Sequence, residues 1–81
     1  MDKDEITKSV IDGIADTMVV KAADITPATH LGALHMDTFD IADVLFELED
    51  EYDVELDERT LPADPTVADI VELVAKAGGR K

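Results

Sequence analysis

Asp37 and Thr38, in the run MDTFD (residues 36–40), set a carboxylate beside a hydroxyl where a loop-like stretch gives way to a strongly helical, acidic one. A hydroxyl at such a point has two uses. It can cap a helix by accepting a bond from a free backbone N–H, or it can be an exposed group for covalent chemistry. On residue types alone, capping is the simpler reading. The two histidines, His30 and His35, lie in the preceding loop without a nucleophile or metal-ligating partner at a recognisable spacing. Catalysis by this chain is therefore not expected. A metal site is not expected either: a calcium loop needs a glycine at its bend, and none occurs between Gly32 and Gly78.

The elements that must position this pair are modest. With 81 residues, one domain over 1–81 is expected. A hydrophobic content of 46% is too high for a disordered acidic tail. The absence of cysteine excludes disulfides and thiolate metal sites and fits a cytoplasmic setting. No apolar run reaches the length of a membrane span, so no membrane insertion is expected, and the acidic start MDKDEITK has no apolar signal core.

A net charge of −13 repels nucleic acid and anionic membranes and favours basic partner surfaces. The acid is concentrated over residues 37–58, and no Lys or Arg occurs from Ala22 to Glu58. Most charge runs are only solvated helix faces. The purity of sign here makes a docking surface for a basic partner the better expectation.

Ile6, Val10, Ile14 and Met18 recur every four residues, which predicts an amphipathic helix over roughly 3–19. Residues 20–37 read as a long loop pinned by Ile25, Leu31, Leu34 and Met36. Ile41, Leu45, Leu48 and Tyr52 mark a second helix over 38–52, widened by Phe39, Val44 and Phe46. Val54 and Leu56 alternate with acids and suggest a short extended link or strand. A helical turn is expected over Asp57–Leu61. In DPTVAD (64–69), Thr66 can cap a last helix with Asp69 near its positive end, ending at Gly78 and Gly79. Residues 78–81 are expected to fray. The fold class is all-α: a small bundle of three main helices plus one short helix, with a long loop between the first two.

This order of elements, with an Asp-hydroxyl-apolar triplet opening an acidic helix, resembles the acyl carrier proteins. Their signature is Asp-Ser-Leu preceded by Leu-Gly-x, and the matching run here is LHMDTF (34–39). Leu34 takes the place of the leucine, His35 of the glycine, Asp37 of the aspartate, Thr38 of the serine and Phe39 of the final leucine. DIADVLFELEDEYDVEL (40–56) is similar to the family's acidic second helix without a gap, and TVADIVELV (66–74) to the start of its last helix. The run IADVL is especially similar to specialised carriers of rhizobial nodulation-factor lipid synthesis. In a second register, Leu31 and Gly32 lead the motif and His35 falls at the serine position. That register requires an extra helical turn that the apolar stripe does not show.

The resemblance implies a non-catalytic, monomeric carrier in fatty-acid, specialised lipid or polyketide biosynthesis. A 4′-phosphopantetheine arm would sit on Thr38 beside Asp37, installed by a phosphopantetheinyl transferase, and would hold acyl groups as thioesters. It implies docking on the basic patches of acyl-processing enzymes through Asp40, Asp43, Glu47 and Asp50, with Phe39 and Phe46 adding apolar contacts. It implies shelter for an acyl chain among Val44, Leu48, Tyr52, Leu56, Leu61 and Ile70, which from the pattern alone are simply core residues. The Tyr52 hydroxyl, on a mostly buried face, is expected to reach the surface or a backbone partner. Thr38 departs from the family's serine. The alternative reading is a carrier-like interaction domain without an arm, the serine having been replaced naturally or by engineering.

Overall fold

The computed structural model describes residues 2–78. Three α-helices carry the architecture: α1 (Lys3–Met18), α2 (Thr38–Tyr52) and α3 (Val67–Gly78). Short 3-10 turns lie at Ala22–Asp24, Leu31–Leu34 and Glu58–Thr60. The all-α bundle expected from the pattern is the fold observed, with the short helix realised as the last of these turns.

The four-residue stripe of α1 does what its spacing requires. Ile6, Val10 and Ile14 are fully buried and meet Val44, Leu45 and Leu48 of α2 and Val67, Ile70, Val71 and Val74 of α3. Ile25, Leu31 and Met36 fasten the α1–α2 connection to the same core. No polar or charged side chain is buried among the described residues. Apolar burial therefore supplies the cohesion, at about 2 kcal/mol for each fully buried aliphatic side chain. Helix α1 packs on both other helices, while α2 and α3 touch each other less. Gly13 passes Val44 and Glu47, and Ser9 bonds to Glu51 and Tyr52, so α1 and α2 run antiparallel.

Several expectations are corrected. The stretch around Val54 and Leu56 is not a strand. Its amides are taken by α2 instead: Val54 N–H donates to the Glu49 carbonyl (3.2 Å) and Leu56 N–H to the Glu49 carboxylate (2.8 Å). Among the described residues, the sole β-type pairing is an isolated bridge between His30 and Thr66. The 20–37 stretch, by contrast, is the long pinned loop expected, with two of the 3-10 turns inside it. The partner of the Tyr52 hydroxyl is the Ser9 hydroxyl at 2.8 Å, not backbone, and Ser9 in turn donates to Glu51 (2.8 Å). Helix α3 includes Gly78; the rest of the expected frayed tail lies outside the described residues.

Lys3 pairs with Glu72 and ties the start of α1 to α3. The Lys3 ammonium holds the Glu72 carboxyl below its usual range. Any stability from this exposed pair is complete at neutral pH and fades only in acid, as pH falls through that lowered value.

Helix α1 stops without a glycine. Val19 caps it at φ 55°, ψ 49°, with its side chain 89% exposed. A β-branched residue in this left-handed region costs about 1–2 kcal/mol. Val19→Gly is expected to raise the unfolding free energy in urea by up to about 1 kcal/mol, after allowing for glycine's freer unfolded chain. In the same assay Ile14→Ala should lower it by about 2–5 kcal/mol.

Candidate functional site

The start of α2 is set by two carboxylates. Asp37 is extended (φ −96°, ψ −178°) and its side chain accepts from the Asp40 N–H at 2.9 Å. Asp40 returns the bond, accepting from the Asp37 N–H at 3.3 Å. This reciprocal capping box satisfies two donors and places negative charge against the positive end of the helix. It also answers which residue caps: Asp37 does. Thr38 is the first helical residue, is exposed, and makes no hydrogen bond through its hydroxyl among the described residues. Its amide and that of Phe39 belong to the first turn, where no intrahelical acceptor exists.

The segment leading into the site is fastened to α3. Leu31 N–H donates to the Pro65 carbonyl (2.9 Å), Val67 N–H to Thr29 (3.0 Å) and Ala68 N–H to Pro27 (2.9 Å). His30 adds its Nδ1 to this clasp, 3.2 Å from the Asp64 carboxylate. A methyl at the Gly32 Cα would lie 3.1 Å from Asp64 Oδ1, a tight approach to an exposed side chain that a small shift of Asp64 would relieve. Thr66 and Asp69 cap α3 in the expected way: Thr66 N–H donates to the Asp69 carboxylate (2.8 Å) and Asp69 N–H to the Thr66 hydroxyl (3.2 Å). His35 then ends the Leu31–Leu34 turn in a left-handed conformation (φ 60°, ψ 29°), its N–H donating to Gly32 at 3.0 Å. This backbone conformation favours glycine, and histidine is among the residues that tolerate it best. His35 thus lies outside α2, three residues ahead of Thr38.

Along α2, Phe39 (80% exposed) and Phe46 (64%) are seven residues apart and share one stripe. Asp43, Glu47 and Asp50 are exposed and Asp40 half-exposed on the solvent side. Phe39 and Phe46, included in the sequence stripe as wideners of the apolar face, are outside the core. Val44, Leu48 and Ile70 are fully or almost fully buried, and Tyr52, Leu56 and Leu61 half-buried.

Of these six residues, Leu56 and Leu61 line clefts, each a different one. Leu56 lines a cleft of about 720 Å³ beside α2, with Ala42, Leu45 and Phe46. Leu61 lines a separate cleft of about 430 Å³ against α3, with Leu73 and Lys76. Glu49, Ala42, Leu45 and Ser9 are residues to which the sequence assigned no site role. Glu49 stands in a run of like acids with nothing to mark that its side chain turns inward.

No cluster of three or more potential metal ligands occurs among the described residues, and no described helix is long and apolar enough to cross a membrane. If the cap is Asp37, its removal should loosen the first turn of α2. Asp37→Ala is expected to cost about 1 kcal/mol in urea unfolding and Asp37→Asn much less. An equal loss in both variants would contradict that role.

The family model for a phosphopantetheine attachment site matches residues 8–74, which spans most of α1, the clasped connection, α2, the 54–61 segment and most of α3. That family is defined by covalent attachment of 4′-phosphopantetheine, and its match here agrees with the bundle and with a helix that opens on an Asp-hydroxyl pair. The chain belongs to the phosphopantetheine-attachment family, and thus to the acyl carrier proteins and their kin.

Proposed function

We propose that this protein is an acyl carrier in which Thr38 bears the 4′-phosphopantetheine arm. The observation that carries the reading is the exposed Thr38 hydroxyl at the first position of α2, released from capping by Asp37. The residues fit such a group. The hydroxyl is open to a transferase, and the nearby first-turn amides and helix dipole offset the charge of a phosphodiester. Asp37 holds the turn in shape and offers a carboxylate toward a metal-bound transferase. When bound, the arm supplies a terminal thiol that holds acyl groups as thioesters. The left-handed His35, outside the helix, supports Thr38 over His35 as the attachment position.

The rest of α2 serves recognition. Asp40, Asp43, Glu47 and Asp50 would meet Lys/Arg patches on phosphopantetheinyl transferase and acyl-processing enzymes of fatty-acid or specialised lipid and polyketide synthesis. Phe39 and Phe46 would fill apolar hollows between those contacts. Val44, Leu48, Tyr52, Leu56, Leu61 and Ile70 would part to shelter an acyl chain, drawing on the looser packing between α2 and α3. The carrier would act as a monomer in the cytoplasm.

A second reading rests on threonine itself. Its extra methyl and restricted χ1 crowd a pocket shaped for serine, which would leave a partner-binding domain without an arm. Intact-mass measurement after co-expression with a phosphopantetheinyl transferase separates the two. The carrier reading expects a gain of one phosphopantetheine in the native chain and in Thr38→Ser, and none in Thr38→Ala. Gain in Thr38→Ser alone would establish the armless reading for the native chain.

For docking, reversal of Asp40, Asp43 and Glu47 to lysine should weaken binding to a carrier-dependent enzyme about tenfold or more at low salt, with the difference shrinking as salt approaches about 0.5 M. Unchanged affinity at low salt would remove α2 as the docking face.

A further inference from the structure

Helix α1 passes into the long connection through the run VVKAA (19–23), and every side chain of that run is exposed. Val19 is 89% exposed and Val20 40%. Single exposed apolar residues are ordinary on a protein surface. Val19 differs from them because its backbone is left-handed (φ 55°), a conformation that glycine adopts freely and a β-branched residue only under strain. The side chain gives nothing back to the core, since it lies outside it. A residue that strains the backbone and packs on nothing is a candidate for contact with another molecule.

The run is held on a fixed backbone. Val20 N–H donates to the Ala15 carbonyl, Asp24 N–H to the Lys21 carbonyl and Ile25 N–H to the Ala22 carbonyl, each at 3.0 Å. Ile25 is buried in the core just beyond. The side chains are thus presented ready for contact, with little order left to impose on binding.

The run also sits at the Thr38 end of the bundle. Ser9 of α1 meets Glu51 and Tyr52 of α2, and Gly13 passes Val44 and Glu47. The C-terminal end of α1 therefore lies at the start of α2, and residues 19–23 continue from it. An enzyme that reaches the Thr38 hydroxyl must come down over this end. The charge here has the opposite sign to that of α2. Lys21 is the single Lys or Arg between Lys8 and Arg59, and it makes no ion pair among the described residues.

We propose that Val19, Val20 and Lys21 form an orienting contact for the phosphopantetheinyl transferase, separate from the acidic face of α2. The surface it fits is an apolar hollow with a carboxylate beside it, on the same enzyme whose Lys/Arg patch meets α2. Two contacts of opposite charge fix how the enzyme is turned about Thr38, which a single acidic helix does less well. The identity of the enzyme rests on the carrier reading above.

The test measures binding of a phosphopantetheinyl transferase to the full, unmodified chain by calorimetric titration at low salt. Coenzyme A is left out, so the titration reads docking and not loading, and it is made on the native chain and on Thr38→Ser. Val19→Gly should weaken binding at least about threefold, the scale of part of one apolar side chain lost from a contact, while raising the urea midpoint. Val19→Asn, which suits the left-handed backbone, should do the same. Affinity and stability then move in opposite directions, which partial unfolding does not produce. Lys21→Glu gives the sharper sign. It makes the chain more acidic, so steering of α2 towards a basic patch would by itself leave binding equal or tighter. The orienting contact requires binding to weaken about threefold or more. Native affinity in Val19→Gly, native or higher affinity in Lys21→Glu, or no binding of either the native chain or Thr38→Ser would overturn the proposal. Failure of Thr38 to gain mass while these losses persist would bear on the carrier reading alone.

Discussion

Two carboxylates exchanging bonds with each other's backbone amide fix the first turn of α2, and the site depends on that exchange. Because Asp37 accepts from Asp40 and Asp40 from Asp37, the helix begins at Thr38 and nowhere else. A start one residue later would leave Thr38 as the cap, its hydroxyl occupied by a backbone donor. A start at His35 would need a helical backbone where a left-handed one is found. From that start the stripe of α2 runs so that Val44, Leu45 and Leu48 enter the core, where α1 packs on them, while Phe39 and Phe46 stay in solvent.

Capping at this end is expensive in charge. Two acids stand beside a hydroxyl proposed to receive a further anion, in a chain of net charge −13. The helix dipole and the unpaired first-turn amides are the local counterweight. Few cations help: Lys3 and Arg59 make ion pairs with Glu72 and Asp57 among the described residues, and none of these four lies on α2. Among the described residues, the acidic face of α2 therefore carries no ion pair. That is a cost to an isolated domain through self-repulsion and an advantage to one that must meet basic surfaces quickly.

Periodicity made the helices legible. The start of α2 could be read because Asp37-Thr38 precedes an unbroken stripe, and that of α3 because Thr66, just before Val67, stands three residues ahead of Asp69. The family was legible from the same residues. What could not be read depends on partners far apart in sequence. The clasp of residues 27–31 on 64–68 pairs backbone groups, which leave no side-chain signature. Ser9 gives no sign that it will meet Tyr52, and Glu49 is one acid among many until Leu56 folds back onto it. Val19 and His35 occupy left-handed positions where a glycine would have announced the turn. Phe39 and Phe46 belong to a widened apolar stripe by composition, and only the packing of α1 decides that they face outward.

The central claim is that Thr38 is where the arm is attached, and localisation of the modification tests it most directly. Because no Lys or Arg lies between Lys21 and Arg59, trypsin releases Ala22–Arg59 as one peptide that contains both His35 and Thr38. Fragmentation of that peptide, taken from chain co-expressed with a phosphopantetheinyl transferase, should show the added phosphopantetheine on fragments that include Thr38 and on none that end before it. Added mass on fragments that end before Thr38, or an unmodified peptide from fully treated chain, would contradict the account.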